Sequence, residues 1–76
     1  MEGLTLGGKI DREADKLLAQ IARSDSMLVA AKAGARAEGF VLGLEAGRVL
    51  NAETIEKMYV IFEAATETRL KELAGA

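Results

Sequence analysis

Three stretches of this chain carry residue types that do chemistry in other settings. Gly7-Gly8-Lys9 matches the end of a phosphate-binding loop. Such a loop also needs an earlier glycine at fixed spacing, a Ser or Thr after the lysine, and a strand before it. Here Ile10 follows the lysine and no strand is evident, so no nucleotide site is expected. Glu53, Glu56, Glu63 and Glu67 have the composition of a carboxylate metal site. Di-metal helical sites combine such glutamates with Glu-x-x-His pairs on facing helices. The chain has no histidine. Hard cations bind isolated carboxylates weakly, so these four read as a solvated helix face, and no metal or cofactor is expected. Ser24, Ser26 and the threonines have no activating base nearby, and an unactivated hydroxyl is a poor nucleophile. No catalytic residue is expected, and the chain reads as non-enzymatic.

Two further patterns bear on binding. The stretch GLEAGRVLNAETIEKM has the outline of a helix-turn-helix. Its second helix opens with Glu53 and Glu56, whereas a reading helix presents Arg, Lys, Asn or Gln to base edges beside a basic surface. A small DNA-associated regulator is therefore the alternative reading, with nucleic acid an unfavoured partner. Arg23, Lys32, Arg36 and Arg48 form a loose basic strip, offset by Glu38 and Glu45. Tyr59, the single tyrosine, is expected to pack its ring and leave its hydroxyl at an edge.

What positions these residues follows from composition. The chain has 76 residues, half of them hydrophobic, a net charge of −2, and neither proline nor cysteine. Abundant Ala, Leu, Glu, Lys and Arg without proline favour helix almost throughout. The balanced charge gives no long-range attraction to nucleic acid or anionic membrane. The opening residues lack a basic start followed by an apolar run, so no signal peptide is read there. No apolar run approaches the roughly 20 residues of a membrane span. A cytoplasmic location and no membrane partner are expected.

The expected fold is all-α: a leading helix followed by an antiparallel hairpin, two to three helices in one domain. Residues 1–9, with Gly3, Gly7 and Gly8, read as a flexible arm ahead of a helical domain over 10–76. Asp11 is a candidate cap for a helix over about 11–23, whose face is Ala14, Leu17, Leu18 and Ile21. Ser24-Asp25-Ser26 either breaks the chain before a second helix over 26–47 or lies within one long helix. Gly47 is expected to leave the helix in a left-handed conformation. Asn51 caps a third helix over about 52–74, with Leu50 and Ile55 as its hydrophobic staple. The stripe of that helix is Ile55, Met58, Tyr59, Phe62, Thr66, Leu70 and Leu73.

The second helix carries Gly34, Gly39, Gly43 and Gly47, each costing roughly 1 kcal/mol against alanine. Small residues recur every fourth place at Ala31, Ala35, Gly39, Gly43 and Gly47. Rows at i±4 are natural helix ridges, so this row is expected to be a low ridge receiving Met58, Tyr59 and Phe62. A hairpin folded at residue 50 pairs positions that sum to roughly 101. Phe40, Val41 and Leu44, with Val60 and Ile61, lie off these stripes and are the candidate dimer or partner surface. Surplus apolar surface without reactive groups predicts a protein-binding module: an adaptor, regulator or inhibitor of a larger protein, of the small bacterial or phage accessory type. It would act as a homodimer with a four-helix-bundle-like core. A self-assembling structural subunit is a third reading.

Overall fold

A computed structural model describes residues 1 and 3–75. Among them the chain forms three helices and no strand: α1 (Gly8–Ala22), α2 (Met27–Gly47) and α3 (Ala52–Gly75). Each helix buries one narrow stripe. In α1 it is Ala14, Leu17 and Ile21; in α2, Ala30, Ala37 and Val41; in α3, Ile55, Met58 and Phe62. The spacings are three, four and seven, the intervals that return a side chain to one face. The molecule is 39 Å long and under 20 Å across. At about 1.5 Å per residue, α3 runs nearly its whole length.

The breaks between helices have local causes. After α1, the Ser24 hydroxyl turns back to the carbonyl of Gln20 at 2.9 Å, which closes the last turn. Ser26 then caps α2, its Oγ accepting from the Val29 N–H at 3.1 Å. The Ser24–Ser26 segment therefore divides two helices. Asn51 caps α3 as its residue type predicts, its Oδ1 accepting from the Thr54 N–H at 2.8 Å. At the end of α2, Gly47 stays helical and Arg48 takes the left-handed conformation, with φ 54°. A side chain there is strained. The Arg48 N–H still reaches the Glu45 carbonyl at 3.1 Å, so the helix ends one residue later than its glycine suggests.

Packing binds the three helices into one core. Arg69 on α3 reaches the α1–α2 junction, donating from Nε and Nη2 to the Ser24 carbonyl at 2.8 and 2.6 Å. Charge-assisted bonds of this kind are the stronger ones. The first residues do not form the expected free arm. Met1 is buried in the core, Leu4 and Leu6 pack against it, and α1 begins at Gly8 rather than near Asp11. Asp11 does not cap the helix; its carboxylate pairs with the terminal amine of Met1.

Only one glycine of α2 mediates a close helix approach, and it is Gly34. A Cβ there would lie 2.6 Å from Thr66 Oγ1 and 2.8 Å from its Cγ2. Thr66 is β-branched and its hydroxyl is tied to the Phe62 carbonyl at 2.8 Å, so it has little room to turn. Gly39 and Gly43 have nothing within 4 Å of such a Cβ. Gly34→Ala is thus expected to lower unfolding free energy by about 1–3 kcal/mol through overpacking. Combining it with Thr66→Ala should recover most of the loss. Gly43→Ala should instead raise stability by up to about 1 kcal/mol. Urea unfolding of dilute protein checks all three; equal effects at Gly34 and Gly43 would contradict the assignment.

Candidate interaction surface

The side of α2 opposite its buried stripe leaves two large apolar side chains in solvent. Ala30, Gly34, Ala37 and Val41 face inward, so residues half a turn away face outward. These are Leu28, Ala35, Gly39, Leu42 and Ala46, all exposed. Leu28 keeps 66% of its surface in solvent and Leu42 52%. The only charge close to this line is Lys32.

A groove flanks the face on each side. Toward α1 lies a cavity of about 420 Å³, whose walls carry Arg23, Lys32 and Arg36 against the single acid Asp25. Among the described residues none of these three cations makes an ion pair. Toward α3 lies a cavity of about 310 Å³ floored by Phe62 and Ala35, with Glu38 and Glu63 on its walls and no cation. The outer face of α2 therefore has a basic edge and an acidic edge.

The ridge expected to receive α3 does not do so as a unit. Ala31 and Ala35 border the groove toward α3, while Gly39, Gly43 and Gly47 are exposed and turn away from it. The cause is helix geometry. Four residues turn about 400°, so an i±4 row drifts about 40° per step and crosses from one side of the helix to the other. Met58 and Phe62 are buried, but against the inward stripe.

The candidate dimer surface is also corrected. Val41 is wholly buried in the chain's own core. Phe40, Leu44 and Ile61 are half-buried and pack against that core. Within the chain's own core these residues already have the cover expected of a second subunit. Val60 alone of the five stays open, at 61% exposure. It borders a cavity of about 330 Å³ with Leu4 and Ile61. Gly34, expected only as one of four helix glycines, is the one at the helix contact, and Leu28 and Leu42 join Val60 among the open apolar residues. A signal for Gly34 was present, since 34 and 66 nearly satisfy the hairpin sum.

Tyr59 sits across the acidic groove, half-buried, and its hydroxyl donates to Glu45 Oε1 at 3.1 Å. Partial burial raises its pKa above 10.0, and the bond to Glu45 and the charges of Glu45 and Glu38 act in the same direction. Among the described residues no three His, Cys, Asp or Glu side chains converge as metal ligands, and no helix is long and apolar enough to cross a membrane. Compared with known proteins, the chain matches no family model, no curated protein and no solved structure.

The raised pKa means that the fold favours the neutral phenol. That contribution to stability is full below pH 10.0 and is lost as pH rises through the folded-state value. Tyrosinate absorbance of this single-tyrosine chain should therefore titrate above pH 10.0 when folded. Glu45→Gln should move the midpoint down while leaving the part due to burial. A folded-state midpoint at or below 10.0 would contradict the placement of the ring.

Proposed function

We propose that the chain is a non-enzymatic helical protein-binding module, an adaptor, regulator or inhibitor of a larger protein, that acts as a homodimer in the cytoplasm. The observation that supports this reading is apolar surface left outside a core that is already closed. Leu28, Leu42 and Val60 are each more than half exposed on a bundle whose three helices have buried their own stripes. Exposed apolar surface marks an interaction site where it is contiguous, and each of these side chains adjoins further apolar or small residues on its own face. They fall on two separate faces, the outer face of α2 and the Val60 side of α3. A dimer needs one face, which leaves the other for a different protein.

The test is capture with tagged chain from source-cell lysate, with and without nuclease, read by mass spectrometry. One stoichiometric protein should survive nuclease and be lost with Val60→Glu, a change at an exposed position. Recovery of nucleic acid, or of proteins released by nuclease, would replace this reading with that of a DNA-associated regulator. Recovery of the bait alone would favour a self-assembling structural subunit.

A further inference from the structure

We propose that two copies of the chain associate through the outer face of α2, with the two α2 helices side by side and parallel about a twofold axis running along them. The proposal supplies the dimer of the binding-module reading and rests on it.

Leu28, Ala35 and Leu42 recur every seven residues, and Lys32, Gly39 and Ala46 form a second seven-residue row beside them, the one charge of the seam being Lys32, whose long stem can carry its ammonium out to the edge. Two such rows make the seam of a two-helix contact. In a parallel pair about that axis Leu28 and Leu42 each meet their own copy, and these are the two large apolar contacts of the seam.

Charge decides the partner and its direction. The seam is bordered by Arg23, Lys32 and Arg36 on one side and by Glu38 and Glu63 on the other. Rotation about an axis along α2 sets the basic edge of one copy against the acidic edge of the other, twice. Rotation about an axis across the helices sets each edge against its own copy, so like charges meet. A second copy in the parallel arrangement therefore satisfies both edges at once, with complementary potentials.

Size agrees only if the edges take part. α2 is about 31 Å long at 1.5 Å per residue, and the molecule is 17–19 Å across. That gives a face on the order of 600 Å², near the roughly 800 Å² per partner of a standard interface. The seam alone falls well short, so the contact needs the groove walls where the charges lie.

The absence of native cysteine makes the test direct. Leu28→Cys and Ala46→Cys are made singly in the full chain, with Thr68→Cys on the far side of α3 as the collision control. Each is treated with diamide, which oxidises two thiols to a disulfide and is itself reduced. Both α2 variants should give a species of twice the chain mass, well above the control. Cross-linking of neither, or of one alone as an antiparallel contact would give, overturns the proposal. Lys32→Glu with Arg36→Glu should weaken self-association about tenfold, because like charges then meet across the contact. Mixing that variant with Glu38→Lys/Glu63→Lys chains should restore it; unchanged association of either variant alone counts against the charge assignment. Loss of cross-linking with partner capture intact removes this contact and leaves the binding-module reading standing; cross-linking without any captured partner does the reverse.

Discussion

The approach of α2 to α3 at Gly34 and Thr66 sets the geometry from which the rest follows. A side chain at position 34 would enter space that Thr66 already fills. Because Thr66 is held by the Phe62 carbonyl, the two helices are fixed where the glycine lets them meet. That contact orients α2. Ala30, Ala37 and Val41 then point into the core, and Leu28, Gly39 and Leu42 have no inward option. The exposed seam is thus a consequence of how the hairpin closes.

α1 completes the core without covering the seam. Its stripe of Ala14, Leu17 and Ile21 meets the inward residues of both longer helices. Arg69 locks the junction by donating twice to the Ser24 carbonyl, in the connection just after the first helix ends. The resulting core is small: Ile21, Met58 and Val41 are its largest fully buried side chains. A domain of this size gains little margin from such a core alone. Association of folded chains through the outer face of α2, as proposed, would add stability by mass action.

Most of the secondary structure was legible in the sequence because local chemistry sets it. Asn51 and Ser26 cap helices for reasons contained within four residues. The hairpin and its leading helix follow from short connections and apolar spacing. What was not legible depended on contacts between distant residues. Met1 joins the core and Asp11 pairs with its amine, so a glycine-rich start that reads as a free arm packs instead. Val41 looked surplus because the cover given by α1 has no local signature. The row from Ala31 to Gly47 differs for another reason: a four-residue spacing does not run straight along a helix but winds around it. Arg48 shows the same limit at a helix end, taking the left-handed position although the residue before it is a glycine.

The basic and acidic edges were visible in the sequence only as scattered charges. Their sidedness appears once α1 and α3 are set on either side of α2, because Arg23 and Glu63 come from different helices. What decides the assembly is whether the outer face of α2 is covered in solution. Small-angle X-ray scattering of the unmodified chain across a concentration series tests this most directly. The account predicts that forward scattering rises with concentration to twice the 8.1 kDa of one chain, with a radius of gyration well above 12.4 Å. A mass that stays at 8.1 kDa and a radius that stays near 12.4 Å at millimolar chain would contradict it.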